Sequence, residues 1–143
     1  MAKYSRRSLE RLWTCVPELI MLFDRVILTI DCTILCGHRT EEEQNALFYA
    51  DPPVTRCKWP DSEHNAVVSN AVDVAPYYAR KPHVRWSKQS LRRWYFFGGI
   101  VLQAAIDLGL SVRWGGDWDG DTYVRDQTFN DLPHWQVIKV EDE

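Results

Sequence analysis

Between residues 64 and 134 the sequence carries four side chains whose chemistry suits hydrolysis. His64 stands in the polar stretch SEHN, Asp73 follows in AVDVAP, and Asp131 and His134 share the short stretch DLPHW. Asp73 is the residue that demands an account, because it interrupts a run of alanine and valine. A carboxylate in such a place is costly unless a cation, a set of donors or a metal meets it. Two imidazoles and one carboxylate make an open zinc site whose fourth position is left for water. A further carboxylate beside that water would serve as general base, and Asp131 is placed for it. Spacing alone leaves a plainer alternative open, in which Asp73 pairs with an arginine and the histidines are loop residues.

These groups need elements to hold them. The stretch NAVDVAPY reads as a strand ended by Pro76. Alternation puts Val72 and Val74 on a core face and Ala71, Asp73 and Ala75 on the other, a carboxylate between two small residues that could floor a pocket. HWQVIKV, residues 134–140, reads as the last strand, with His134 at its start. In a regular strand Asp131 and His134 would point to opposite faces, but the bend at Leu132 and Pro133 allows them to converge. Upstream, Leu9, Leu12, Val16, Leu19, Ile20 and Phe23 recur at helical spacing, predicting helix over 5–31 divided at Pro17. CTILCG predicts a strand stopped by Gly37. Thr40 and Glu43 form a capping-box pattern that opens a helix running to the DPP break at 51–53, and residues 51–61 read as loop. Ser87 to Leu110 predicts a long helix. Gly98 and Gly99 inside it cost about 1 kcal/mol each against alanine, which implies close packing by another element. SVRWGG reads as strand and turn, and 117–133 as a polar loop. Helices first, then strands interleaved with a long helix, give the α+β class.

The 143 residues suffice for one domain with its own core. A net charge of −3 supplies no general electrostatic reason to bind nucleic acid or an anionic membrane surface. No signal-peptide pattern opens the chain and no apolar run is long enough to span a bilayer. Four cysteines, Cys15, Cys32, Cys36 and Cys57, lack both the spacing of a zinc finger and a convincing disulfide framework, and are expected to be free and mostly buried.

The blocks CGHRTEEEQ, SEHNAVVSNAVDVAPY and DLPHW resemble the zinc peptidases that include phage L-alanyl-D-glutamate endolysins and D-alanyl-D-alanine carboxypeptidases and dipeptidases. Ser62, His64, Ala71 and Asp73 match one family signature, and Asp131 with His134 matches the second. The likeness runs from about residue 8 to 138, with the motifs in the family's order, and RWGGDWDGD and FNDLPHW look most like the phage branch. One departure is the stretch NAVVSN, which sets His64 and Asp73 further apart than in many relatives. The resemblance implies a small antiparallel sheet carrying a zinc site and packed against several helices, the Hedgehog/DD-peptidase-like fold. It implies that His64, Asp73 and His134 ligate Zn2+, that Asp131 activates water, and that Arg39 meets the developing oxyanion. It also points to Ser62, and more weakly to Gln44, as substrate-binding residues.

Asp117, Asp119 and Asp121 alternate along GGDWDGD, which suggests a Ca2+ site or a solvated acidic turn; the pattern is not an EF-hand. RWSKQSLRRW reads as a solvated helix start rather than a polyanion site. His38 and His83 read as structural. Trp114, Trp118 and Trp135 could line a substrate groove or pack in the core. The implied function is peptidoglycan endopeptidase: one catalytic domain over 1–143, no wall-binding module, monomeric, acting on the stem peptide between L-alanine and D-glutamate. It would wait in a phage host's cytoplasm until a holin-type pore gives access to the wall. A D,D-carboxypeptidase or dipeptidase, and a non-catalytic wall-binding module, are the alternatives.

Overall fold

The computed structural model describes residues 1–139. Four helices, α1 (Arg6–Leu12), α2 (Pro17–Val26), α3 (Glu41–Phe48) and α4 (Leu91–Asp107), accompany four strands, β1 (Cys32–Cys36), β2 (Ala71–Pro76), β3 (Val112–Trp114) and β4 (His134–Val137). The strands form one antiparallel sheet in the order β1-β2-β4-β3. Single 3₁₀ turns at Glu63–Asn65 and Lys88–Ser90 complete the regular structure.

The helices α1, α2 and α4 close over one face of the sheet. Leu12, Leu19, Leu22, Phe23 and Val26 meet Ile34, Val72, Val74, Phe97, Val101 and Trp135 in a buried core. The alternation expected of β2 holds, with both valines fully buried in that core and Asp73 on the opposite face. The helical tract is divided at Pro17 as expected, into a shorter α1 and a longer α2, and Pro17 begins α2, as befits a residue with no N–H to leave unpaired. The segment also stops short of the predicted Asp31. Leu28 and Thr29 donate to Arg25 and Val26, i to i−3 bonds that tighten the chain out of the α-helix at its β-branched end.

Helix α3 opens on the expected reciprocal cap between Thr40 and Glu43. Helix α4 starts later than its apolar pattern suggests, after the 3₁₀ turn, and closes at Gly109, whose φ of +71° suits glycine. Gly109 N–H and Leu110 N–H donate to Ile106 and Ala105, a Schellman termination. The two internal glycines differ. A β-carbon on Gly98 would collide with the Trp114 ring, whereas Gly99 faces open space, so close packing explains only the first. The last strand ends at Val137, and Val140 of the predicted stretch lies outside the described residues.

Candidate metal centre

Asp73 sits mid-strand on β2, and the antiparallel register places His134 of β4 directly opposite it. Paired residues of neighbouring strands project from the same face, so the two side chains meet without any loop to steer them. Asp131 reaches the same place through a turn. His134 N–H donates to Asp131 O at 3.1 Å, across Leu132 and Pro133. Gly115 locks that turn to β3, accepting from Asp131 N–H and donating to His134 O, each at 2.9 Å. Any β-carbon at Gly115 would strike the Asp131 backbone, so only glycine permits the approach.

His64 arrives from the 3₁₀ turn, capped by Ser62 Oγ, which accepts from His64 N–H at 3.2 Å. Its Nδ1–H donates to Gly37 O at 2.8 Å, which turns Nε2 toward Asp73. Nε2 stands 3.2 Å from Asp73 Oδ1, and His134 Nδ1 stands 3.5 Å from the same oxygen. His134 Nε2–H is held by Gln136 Oε1 at 2.7 Å. Each imidazole is thus oriented from behind, as ligand imidazoles commonly are. His64 Nε2 and Asp73 Oδ1 are buried without hydrogen-bond partners. Four-coordinate bonds of about 2.0–2.1 Å put neighbouring donors about 3.3 Å apart. Both spacings to Asp73 Oδ1 match that separation, and buried orphaned donors are what a small cation would satisfy.

Without a metal, the charges adjust to one another. Burial pushes His64 down, but the charge of the Asp73 carboxylate beside it outweighs burial, and the imidazole is raised to about 10. Burial works to raise Asp73, while His64 and His134 together hold it far below the ordinary carboxylate range. Asp131 is raised, first by burial and then by the charge of Asp73, and its Oδ2 lies 4.0 Å from His134 Nδ1.

Both readings of Asp73 from the sequence describe part of the geometry, because its Oδ2 also accepts from Arg39 at 3.2 Å. Arg39 is braced in turn by Gln44 Oε1 at 3.0 Å. Gln44 itself is 0% exposed, and its amide donates to Cys57 O at 2.6 Å. It holds Arg39 from behind, away from the cavity, so the expectation of a substrate contact at Gln44 is corrected: burial leaves it no surface to offer. Asn65 completes this support by donating to Arg39 O and Gln44 Oε1.

A cavity of about 740 Å³ opens over the centre, bordered there by Arg39, Ser62, His64, Asp73, Asp131 and His134. Trp118 leans on His134 with ring centroids 5.3 Å apart, and Phe129 carries Arg56 over its ring at 4.1 Å. At the far end Trp86 stacks on Trp94. The three tryptophans left undecided by the sequence divide: Trp118 lines the cavity, whereas Trp114 and Trp135 stack on each other in the core. The basic-aromatic stretch divides too. Trp86, Leu91 and Trp94 border the cavity, while Arg85 folds back on Tyr78 and the carbonyls of Arg80 and Pro82.

Nearly all of the chain is matched by known proteins. Residues 1–138 match the family described as phage L-alanyl-D-glutamate peptidase. The chain belongs to that family. It is 28% identical over 133 residues to the L-alanyl-D-glutamate peptidase of Escherichia phage T5, covering 87% of this chain and 88% of that protein. Its fold is similar to the crystal structure of the Serratia marcescens L-Ala D-Glu endopeptidase ChiX, with a TM-score of 0.70 and 24% identity over 95% of this chain and 90% of that one.

Elsewhere in this phage-peptidase chain the minor expectations resolve simply. His38 and His83 each bond a backbone carbonyl, of Ala66 and Tyr78. All four cysteines are free, with Cys15 and Cys32 buried and their thiols pushed up to about 12 by burial. Cys36 and Cys57 are only partly buried. Among the described residues no helix is long and apolar enough to cross a membrane. Asp117, Asp119 and Asp121 do gather, with carboxylate oxygens within 4.8 Å of one another. Sequence reasoning missed Asn65, Gln136, Gly37 and Gly115: the two glycines act through backbone groups and Asn65 reaches Arg39 and Gln44 from far along the chain, while Gln136, two residues from His134 on one strand, did leave a same-face spacing to read.

Proposed function

We propose that the chain is a zinc-dependent peptidoglycan endopeptidase that cuts the stem peptide between L-alanine and D-glutamate, as a single catalytic domain working as a monomer. The observation that carries this reading is one carboxylate oxygen faced by two buried imidazole nitrogens at 3.2 and 3.5 Å, with a second carboxylate beside them and a cavity above. Membership of the phage L-alanyl-D-glutamate peptidase family supports the substrate and bond. His64, Asp73 and His134 would hold the ion. When bound, zinc would polarise the scissile carbonyl and make an attacking water acidic, with a pKa of about 7.

Asp131 takes the proton from the attacking water and returns it to the leaving amine. Burial and the Asp73 charge raise its pKa, which makes it a better proton acceptor than an ordinary aspartate. Arg39 lines the cavity beside Asp73 and offers positive charge to the oxygen that becomes anionic. Ser62 borders the cavity while capping the His64 turn, and is placed to touch the substrate backbone. The peptide enters past Trp118, and the protein reaches the wall from a phage host's cytoplasm through a holin-type pore.

The test is digestion of purified peptidoglycan with mass spectrometry of the products. New amino-terminal D-glutamate on released stem peptides is the expected result; release of terminal alanine alone would replace the endopeptidase reading with a carboxypeptidase.

A second reading attaches to the acidic turn. Asp117 is 6% exposed, and its Oδ1 is buried with no partner, close to the oxygens of Asp119 and Asp121. Ca2+ takes several carboxylate oxygens of this kind. We read the turn as a calcium site that steadies the loop leading into Trp118.

A further inference from the structure

Among the described residues, two guanidinium groups and no lysine border the cavity. Arg39 is already engaged by Asp73 and by Gln44. Arg56 is exposed, and among the described residues no carboxylate forms an ion pair with it. What holds it is the Phe129 ring, whose centroid lies 4.1 Å from its Cζ. A guanidinium held by a ring keeps its planar fork of N–H donors for another partner.

The surroundings fix Arg56 in place. The buried Gln44 amide donates to Cys57 O at 2.6 Å and to Thr55 Oγ1 at 3.5 Å, on either side of Arg56 in the chain. Through its Oε1 the same side chain braces Arg39. One buried residue thus positions both cations of the cavity wall. Phe129 is fixed as well, because its carbonyl accepts from Trp118 Nε1–H at 2.9 Å and its ring stacks on Trp118 with centroids 6.3 Å apart. Trp118 leans in turn on His134, so a line of ring contacts runs from the metal centre to Arg56.

The substrate has a group that fits this fork. In a bond between L-alanine and D-glutamate the leaving nitrogen belongs to glutamate. Asp131 returns the proton to that nitrogen, which puts the glutamate on the Asp131 side of the centre. Phe129 is two residues from Asp131, and both border the cavity. Glutamate has two carboxyl groups: one carries the stem peptide onward, and the other stays free within a few bonds of the leaving nitrogen. Of the charged side chains bordering the cavity away from the metal centre, Asp61 and Glu63 would repel that group and Arg56 would attract it.

We propose that Arg56 is the specificity residue for the leaving side of the substrate, pairing with the free carboxylate of the glutamate next to the bond. The inference rests on the endopeptidase reading above. Arginine meets a carboxylate with two parallel N–H bonds. A site built around such a contact discriminates against an analogue that lacks the group.

The experiment gives the full-length, zinc-loaded protein two soluble muropeptides, one with the free glutamate carboxyl and one with that carboxyl converted to its amide. The unmodified protein should cut the carboxylate form with kcat/KM roughly ten- to a hundredfold higher, the usual worth of a hydrogen bond to a charged group. The difference should lie chiefly in KM, because the carboxylate is held alike before and during the reaction. In Arg56→Gln the two substrates should converge, through loss on the carboxylate form. Arg56→Lys, with the charge but not the fork, should keep part of the preference. Arg56→Met, which still packs on Phe129, takes the place of the glutamine variant if circular dichroism shows that one unfolded. Equal losses on both substrates, with the preference intact, would make Arg56 a prop for Phe129 and overturn the assignment. So would an unmodified protein indifferent to the amide. Cleavage of neither muropeptide by the unmodified protein would overturn the endopeptidase reading, and this contact with it.

Discussion

The row of donors across the sheet and the acidic turn after β3 both gather carboxylates, yet they are held in opposite ways. At the sheet, the side chains come from distant parts of the chain and are fixed by strand register or by a bonded neighbour: Gly37 behind His64, Gln136 behind His134, Arg39 beside Asp73. In the turn, the carboxylates bond to backbone only a few residues away: Asp117 to Thr122, Asp119 to Asp121, Asp121 to Tyr123. The first arrangement depends on the whole fold and brings the fold's rigidity to the site. The second is local, and its geometry follows from the loop alone. A rigid, mixed nitrogen and oxygen set suits a tightly held ion, and a local oxygen set suits one that exchanges.

The largest expected effect falls on the sheet. His64→Ala or His134→Ala should abolish both stoichiometric zinc and activity, read by elemental analysis and by peptidoglycan digestion. Because an ion that binds only the folded state stabilises it by about 4 kcal/mol at a thousandfold excess over Kd, these variants should also lose the zinc-dependent part of their melting temperature. Full activity after removal of the metal by chelation would erase the distinction between the two regions.

Next comes Asp131→Asn. This change should keep zinc and the fold but lower kcat by about 10²–10⁴, the usual worth of a general base. Loss of zinc in this variant would mean that Asp131 is a ligand and that the division of labour at the centre is different.

A third test uses pH to separate the centre with and without its ion. In the metal-free protein His64 is raised to about 10 by the Asp73 carboxylate, against burial. A group with a raised folded pKa gives its stability in full below the unfolded value, about 6.5, and loses it as pH climbs through the folded one. The chelated protein should therefore become less stable between about pH 6.5 and 10. Zinc needs His64 neutral, so apparent zinc affinity should rise over the same window. Parallel trends in stability and affinity would show that proton and metal do not compete for Nε2.

How much of this was legible in the sequence follows from the same contrast. The strand around Asp73, the capping box at Thr40 and the turn linking Asp131 to His134 are local patterns, so they can be read without the fold. The end of α2 was overrun because Ile27 and Ile30 stay buried through turns that continue the helix's apolar face. Gln44 was misassigned because its neighbours in space, Arg39, Asn65 and Cys57, are set by tertiary packing.

The smallest effect belongs to the acidic turn, and its sign is informative. Burial and the neighbouring Asp119 and Asp121 raise Asp117, although Thr122 N–H lowers it in part. Asp126 is raised to about 6, chiefly by its hydrogen bond with Asp121. These carboxylates repel when no cation is present, so Asp117→Asn should leave the calcium-free protein as stable or slightly more so. Added Ca2+ should stabilise the unmodified protein by about 1.4 kcal/mol at a tenfold excess over Kd, roughly 4 °C in melting temperature, and should leave the variant unchanged. An equal shift with Mg2+, or with added NaCl, would reduce the turn to a solvated cluster responding to ionic strength. A calcium response that survives Asp117→Asn would move the site elsewhere, because the buried oxygen of Asp117 is the one donor in the turn that water cannot readily serve.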